Sequence, residues 1–167
     1  DIVEVSVTME NNPGIIAAAL NVHYDQEKLE LISSLKFPQI ELGLQTAHDS
    51  TLKLINRGHN LESFIKGYNL AKSFGIKVCV HLILGLPNET RKMMMETAKL
   101  MADLKIDGVK LHVLTILKGS KLEHFKPQPD IMSMEDYCNL CCDIIEILPP
   151  TTTIQRLAGS GLRSELI

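Results

Sequence analysis

The 167-residue sequence is poor in the features that mark membrane, secreted and nucleic-acid-binding proteins. None of its apolar runs approaches the roughly 18 residues that a membrane-spanning helix needs. Its formal net charge of −3 gives no overall basic field for nucleic acid. Four cysteines without a signal-like start predict reduced thiols in a cytoplasmic protein rather than a disulfide framework. With 45% hydrophobic residues, we expect residues 1–167 to form one domain with a sizeable core.

Several common catalytic and cofactor motifs are also missing. The sequence has no GxGxxG or GxxxxGK segment to hold a nucleotide phosphate, and no GxSxG or HExxH segment. The stretch CNLCC, residues 138–142, contains one CxxC, which alone is a weak metal or redox signal. Cys141 falls on the apolar stripe of a long predicted helix, and Cys79 falls inside a predicted strand. We therefore predict that both pack as small hydrophobic residues.

Strand-like segments alternate with helix-like segments, which is typical of βα units around a parallel sheet. The predicted strands are Ile2–Thr8, Ile15–Val22, Gln39–Gln45, Ile76–Leu84, Gly108–Leu114 and Thr152–Leu157. The predicted helices are Gln26–Leu35, Ser50–Ile55, Leu61–Phe74, Glu89–Leu104 and Met134–Ile147. Gly75 is placed to cap one helix, and Asn88 or Thr90 to begin the next.

The alternation of side chains along three of these strands indicates where a site would lie. Every second residue shares a face, so Glu41, Gly43 and Gln45 point one way and Leu42 and Leu44 the other. The same alternation separates polar from aliphatic positions in the next two strands, where the polar positions include His81, Lys110 and His112. In a parallel barrel such polar faces line the interior, and chemistry gathers near the carboxyl ends of the strands.

Two loop segments add candidates to this face. In HLILGLPNET, residues 81–90, His81 lies four residues before Gly85, which permits a sharp turn or the close approach of a ligand. In NRGH, residues 56–59, Gly58 is a candidate C′ residue of a short helix. A helix of about two turns after Gln45 would return Arg57 to the mouth of the strand, where a guanidinium could hold a carboxylate.

Four blocks of the sequence together carry a family resemblance. They are ELGLQTAHDSTLKLINRGH, GIKVCVHLILGLPNETRKMMMETAKLM, DGVKLHVLTILKGSKLE and LPPTTTIQRLAG. In order and spacing they closely resemble the radical S-adenosylmethionine (SAM) proteins of the YhcC-like group, which is akin to the Elongator catalytic subunit and to oxygen-independent coproporphyrinogen oxidase. The resemblance covers about residue 27 to the end.

The resemblance implies an α/β fold, namely the C-terminal part of a partial (βα)6 TIM-like barrel with helices outside. It implies that Gln45 and Arg57 contact SAM. His81 occupies a position that often contacts SAM, although it is an Asp in the coproporphyrinogen enzyme. The backbone from Ile83 to Gly85 resembles the segment that contacts adenine. Glu41, Lys110 and His112, which share the polar strand faces, are then expected to line the substrate cavity.

Radical SAM chemistry also needs a 4Fe-4S cluster, held by three cysteines in a CxxxCxxC motif that this sequence lacks. We expect the ligands outside this chain, which begins DIVEVSV without an initiator methionine and would be a piece of a longer protein. That protein would generate a 5′-deoxyadenosyl radical with help from a reductant, act on tRNA or a small molecule, and need no membrane. The piece alone would be inactive.

Two other interpretations remain open from the sequence. The chain could be a non-catalytic barrel-like module that binds a nucleotide-like ligand or a protein partner. Alternatively, His81 and His112 could be metal ligands of a different barrel enzyme, although no carboxylate at a telling spacing completes the set.

Overall fold

The computed structural model describes residues 5–8, 17–20, 26–34, 38–116, 121–125 and 130–158. In chain order the elements are β1 (Val5–Thr8), β2 (Ala17–Leu20), α1 (Gln26–Ser33), β3 (Gln39–Gln45), α2 (Asp49–Leu54), α3 (Leu61–Ser73), β4 (Lys77–Leu84), α4 (Arg91–Asp103), β5 (Gly108–Val113), α5 (Met134–Ile147) and β6 (Thr153–Arg156). A 3-10 turn covers Lys121–His124. No helix in these ranges is long and apolar enough to cross a membrane.

The strands form one six-stranded sheet in the order β1-β2-β3-β4-β5-β6. The strands from β2 to β6 are parallel to their neighbours, as the βα alternation predicts. β1 runs antiparallel to β2. Only residues 9–16 separate these two strands, which is shorter than the dozen or more residues that a parallel crossover needs. The architecture is the arc of a TIM-like barrel with one antiparallel edge strand.

The predicted bounds of β3 and α5 coincide with the observed ones. α4 begins later than predicted, because the side chain of Thr90 caps it by accepting a hydrogen bond from the backbone N–H of Met93 at 3.3 Å. Gly75, with φ of +72°, ends the α3 segment as expected. The outer residues of the two predicted N-terminal strands and the predicted helix end at Leu35 lie outside the described residues.

The aliphatic face of the sheet packs against the helices and forms the core. Strand residues such as Leu42, Val80 and Leu111 are almost fully buried against helix residues such as Phe64 and Ile144. Burying each large aliphatic side chain contributes about 1.5–3 kcal/mol. The opposite face, which we call the inner face, carries half-buried polar side chains, and this asymmetry fixes which way each strand residue points.

The four cysteines divide into two buried and two exposed side chains. Cys79 and Cys141 are buried, so both predictions of packing are confirmed. Cys138 and Cys142 lie on the exposed side of α5. Burial raises the pKa of the Cys79 thiol to about 12 and raises that of Cys141 as well, which suppresses their reactivity.

Candidate functional site

Three neighbouring strands bring polar side chains together on the inner face, as their alternation predicts. Gly43, His81 and Lys110 are register partners on β3, β4 and β5. Glu41 precedes Gly43 by two residues and His112 follows Lys110 by two, so both share this face. Four of the predicted polar residues of the inner face, Glu41, His81, Lys110 and His112, therefore form one cluster.

Glu41 is the anionic centre of that cluster. Its Oε2 atom accepts a hydrogen bond from Nε2 of His81 at 2.7 Å, and its Oε1 atom accepts one from the ammonium group of Lys110. The bond from His81 is the largest cause of a pKa lowered to about 2; burial opposes the shift and Lys110 adds to it. Glu41 is therefore ionised at neutral pH, and an ionised carboxylate can only accept, so Nε2 of His81 carries the proton.

His112 lies beside His81 and has an unused hydrogen-bonding atom. The two imidazole rings are 5.6 Å apart between centroids and inclined by 35°. Burial lowers the pKa of His112, and the nearby charges of His81, Arg156 and Lys110 lower it further, whereas Glu41 opposes them. Nε2 of His112 is buried and has no hydrogen-bond partner among the described residues. A neutral imidazole in this state is suited to bind a polar group of a ligand.

Arg57 returns to the end of β3, as predicted. The turn that brings it there differs from the predicted one. Asn56 is the left-handed C′ residue of α2, with φ of +56°, and the N–H of Arg57 donates to the carbonyl of Leu52 at 2.8 Å. Gly58 therefore is not the C′ residue. Nη2 of Arg57 donates to the carbonyl oxygen of Gly43 at 3.1 Å.

Part of the Arg57 guanidinium is left without a partner. Its Nε atom is buried and makes no hydrogen bond to any described residue. Burial also lowers the pKa of the guanidinium, which means that its charge is incompletely compensated. An unpaired N–H on a half-buried cation is suited to bind an anionic group such as a carboxylate.

Gln45 reaches the same place through an irregular strand end. The register between β3 and β4 shifts between Gly43 and Gln45, and Gln45 has φ of +74°. A Cβ atom added to Gly43 would lie 2.7 Å from Nε2 of Gln45 and 2.7 Å from Nη2 of Arg57. The structure thus brings Gln45 and Arg57 together over Gly43, at the mouth of β3.

His59 is a residue of this mouth that the sequence interpretation missed. Its imidazole hydrogen-bonds to the backbone of Leu44, and its pKa is lowered by burial and by the charge of Arg57, against the opposing effects of Leu44 and Asp49. Its Nε2 atom is buried without a partner within the described segments. The only available signal was its place two residues after Arg57.

The end of β4 and the loop after it hold the remaining predicted residues. Ile83 is half-buried and is the register partner of His112. Gly85 has φ of +84°, and Asn88 has φ of +64°. Asn tolerates this left-handed conformation better than most residues, so the turn keeps its shape.

A cavity of about 480 Å³ lies between this loop and the start of α5. Its lining includes the loop residues 85–89, Met94, Met132, Asp136 and Leu140. None of Gln45, Arg57 or His81 lines it. The cavity is therefore on the helical side of the sheet and is separate from the inner-face cluster.

Of the two cofactors that the family resemblance implies, the residues present fit SAM and do not fit the 4Fe-4S cluster. The missing side chain of Gly43 lets the Arg57 guanidinium and the Gln45 amide lie together, and Nε of Arg57 has no partner there, so the mouth of β3 fits a polar, anion-bearing molecule such as SAM. Within the described residues, no three His, Cys, Asp or Glu side chains are placed to hold a metal ion. The four cysteines are buried singly or lie on the surface of α5, so they do not fit an iron-sulfur cluster.

Comparison with known protein families gives two matches. The profile of the radical SAM superfamily matches residues 2–101, and that of the radical SAM C-terminal domain matches residues 106–167. YtqA of Bacillus subtilis is 46% identical over 124 residues, which are 73% of this chain and 38% of that protein. YhcC of Escherichia coli is 38% identical over 130 residues, which are 77% of this chain and 42% of that protein. The chain thus spans about two fifths of these relatives.

Among solved structures, Elp3 of the archaeon Methanocaldococcus infernus superposes with a TM-score of 0.78 at 24% identity, covering 86% of this chain and 35% of that protein. This likeness shows the fold. More distant relatives by sequence include archaeal tRNA uridine(34) acetyltransferases.

Proposed function

The chain belongs to the radical SAM superfamily, and we propose that its inner face is the SAM-binding wall of a radical SAM iron-sulfur enzyme, with Gln45 and Arg57 as the anchors of the cofactor. The single observation that carries this assignment is the buried, unpartnered Nε atom of Arg57, whose guanidinium lies with the Gln45 amide over Gly43. The family uses SAM together with a 4Fe-4S cluster.

Arg57 would bind the carboxylate of the methionine end of SAM. Its Nη2 atom is already held by the Gly43 carbonyl, which orients the guanidinium plane, and its buried Nε atom has no partner among the described residues. A bound carboxylate would compensate the charge that burial destabilises, so the anion and the cation stabilise each other. Gln45 would add its amide to the same polar end, because its Nε2 lies over Gly43.

Ile83 and Gly85 would contact the adenine end. Ile83 offers an apolar side chain on the inner face, and the left-handed backbone at Gly85 turns the chain away at the end of β4. These features suit a flat, weakly polar ring that is recognised mainly by backbone groups.

His81 would contact SAM only with its second ring nitrogen, since Nε2 is bonded to Glu41. The Glu41 carboxylate is then the acidic group that this part of the wall offers, in place of the Asp of the coproporphyrinogen enzyme. Glu41, Lys110 and His112 would line the adjoining substrate cavity, where the unpartnered Nε2 of His112 is available to a substrate polar group.

The cluster ligands would come from outside residues 1–167, since the cysteines here do not fit the cluster. We infer that this chain is the C-terminal portion of a longer cytoplasmic protein and is inactive alone. When bound in the longer protein, the cluster and SAM would supply the 5′-deoxyadenosyl radical chemistry of the family, for abstraction of a hydrogen atom from the substrate. The residues of this chain hold SAM, orient it and form one wall of the substrate cavity.

The substrate is a tRNA or a small molecule. The archaeal tRNA uridine(34) acetyltransferases among the relatives support tRNA. The net charge of −3 provides no general attraction for RNA, so a tRNA would need a basic surface elsewhere in the longer protein. A reductant for the cluster is a further required partner.

Arg57→Ala and Gln45→Ala in the longer, cluster-loaded protein test the proposal. Loss of a charge-assisted hydrogen bond should raise the Kd for SAM about tenfold to hundredfold for Arg57→Ala. Gln45→Ala should have a smaller effect, because a neutral amide is a weaker partner. Equilibrium binding of radiolabelled SAM measures both.

The matched control is Arg91→Ala, which removes the same group from an exposed ion pair with Asp143. The Kd of this variant for SAM should equal that of the unmodified protein. Unchanged SAM affinity in Arg57→Ala would remove the assigned role of Arg57. Absence of CxxxCxxC from the codons upstream of Asp1 would favour the non-catalytic binding module instead.

A further inference from the structure

Gln45 has a backbone conformation that an ordinary side chain avoids. Its φ of +74° lies in the left-handed region, where the Cβ atom of a non-glycine residue approaches the neighbouring carbonyl. The same conformation accompanies the register shift at the end of β3 and places the amide over Gly43. Such strain persists only where surrounding contacts enforce it.

The three residues after Gln45 provide those contacts. The hydroxyl of Thr46 donates to Oε1 of Glu89 at 2.5 Å and accepts from the N–H of His48 at 3.2 Å. The N–H of Ala47 donates to the hydroxyl of Thr97 at 3.1 Å, and the Thr46 and Thr97 hydroxyls are 3.4 Å apart. Thr46 and Thr97 are only 1% and 3% exposed, so water does not compete with these bonds.

Glu89 is the acceptor on which this network depends. It belongs to the turn between β4 and α4, where its own N–H donates to the carbonyl of Leu86 at 3.0 Å. Its carboxyl accepts a second side-chain hydrogen bond, from the buried Thr51 of α2. Burial raises its pKa, while Thr46, Thr51 and the charge of His48 oppose that shift. One carboxyl group therefore joins the turn after β4 to the turn after β3.

We propose that Glu89 is a positioning residue, which acts through Thr46 to hold Gln45 in the left-handed conformation that directs its amide over Gly43. Glu89 acts on Gln45 indirectly, because it holds the side chain of Thr46, the residue that follows Gln45. This inference rests on the proposed function for its effect on SAM, but the conformational part stands on the hydrogen bonds alone.

The alternative is that Glu89 only stabilises the packing of α2 against α4. Asp107 provides the comparison, because its carboxylate accepts from Lys72 at 2.7 Å and from the N–H of Val78 at 2.8 Å, at the opposite end of β4 and β5. Asp107→Ala should lower the Tm without touching Gln45. Glu89→Ala should lower the Tm and also weaken SAM binding.

In the longer, cluster-loaded protein, we expect Glu89→Ala to raise the Kd for SAM about tenfold and Asp107→Ala to leave it unchanged at a similar loss of Tm. Glu89→Gln keeps an oxygen that can accept from Thr46 and should restore most of the affinity. If Glu89→Ala binds SAM as tightly as the unmodified protein, the positioning role is wrong.

A second measurement needs no SAM. Gln45→Gly relieves left-handed strain, and its effect on the unfolded chain is the same in every background. It should therefore raise the Tm by more in the unmodified protein than in Glu89→Ala, where the backbone can relax without it. Equal changes in Tm would overturn the proposal. If the changes in Tm are unequal but none of the proteins binds SAM, the positioning role of Glu89 is supported and the assignment of SAM as the ligand is refuted.

Discussion

A hydrogen bond of 3.1 Å joins the guanidinium of Arg57 to the backbone carbonyl of Gly43, and any side chain at position 43 would collide with that guanidinium. The added Cβ would also meet Gln45, at the same distance of 2.7 Å. Gly43 is thus the floor of the proposed SAM site, although its own φ is not in the left-handed region.

Gly43→Ala is therefore expected to weaken SAM binding about tenfold or more, because either Arg57 or Gln45 must move away. The measurement is the Kd for SAM in the longer, cluster-loaded protein. Gly58→Ala is the control, since a Cβ there has nothing within 4 Å and the backbone is unstrained. Equal affinities of the two variants would contradict the proposed site.

Glu41→Gln should change how stability depends on pH. The folded-state pKa of Glu41, about 2, is below its ordinary value of 4.5, so the stabilisation that it provides is present above pH 4.5 and is lost as pH falls towards 2. The variant should be about 2 kcal/mol less stable at pH 7, with the difference shrinking below pH 4.5. Urea unfolding across this range measures it.

The control for that experiment is Glu62→Gln. Glu62 forms an exposed pair with Lys66 on α3, its side chain being 71% exposed, so its loss should change stability little at any pH. A constant stability difference between Glu41→Gln and the unmodified protein from pH 2 to pH 7 would contradict the charged cluster.

Glu89→Gln should show the opposite sign. Burial raises the folded-state pKa of Glu89 above its ordinary value, so the folded protein holds this proton more tightly than the unfolded chain. The stability of the unmodified protein should therefore fall as pH rises above 4.5. The stability of Glu89→Gln should not fall in this way, so the variant should become more stable relative to the unmodified protein over the same range. Urea unfolding between pH 4 and pH 8 tests this; a stability advantage of the variant that grows as pH falls would contradict it.

Thiol reactivity should separate the four cysteines into two pairs. Cys138 and Cys142 are exposed, whereas Cys79 and Cys141 are buried with raised pKa values. An aromatic disulfide reagent should modify two thiols rapidly in the folded protein and the other two only on unfolding. Mass mapping that finds Cys79 or Cys141 in the fast pair would contradict the packing.

The sequence predicted the elements and the inner-face cluster because both depend on local periodicity. The alternation in ELGLQ and KLHV placed Glu41 and Lys110 on one face, and they are bonded although 69 residues separate them. The spacing between Gln45 and Arg57 predicted their approach because a short helix has a fixed length. The assigned roles of these residues in binding SAM stay predictions.

Other parts of the site were beyond sequence reasoning. Strict alternation cannot foresee the register shift that gives Gln45 its left-handed φ. The bond between Thr46 and Glu89 depends on how α4 packs beside β3, which no local pattern encodes. His59 was missed because one histidine after a helix is usually a surface residue, and only the fold buries its ring.

The strand order of the sheet has a kinetic consequence. Each described strand pairs with the strand before it in the chain, so no pairing waits for a distant segment to arrive. The longest segment between paired strands is residues 114–152, and because loop-closure entropy grows slowly with length, the entropy lost at each step is modest. During synthesis on the ribosome, each new βα unit can therefore pair with strands of the sheet that have already folded.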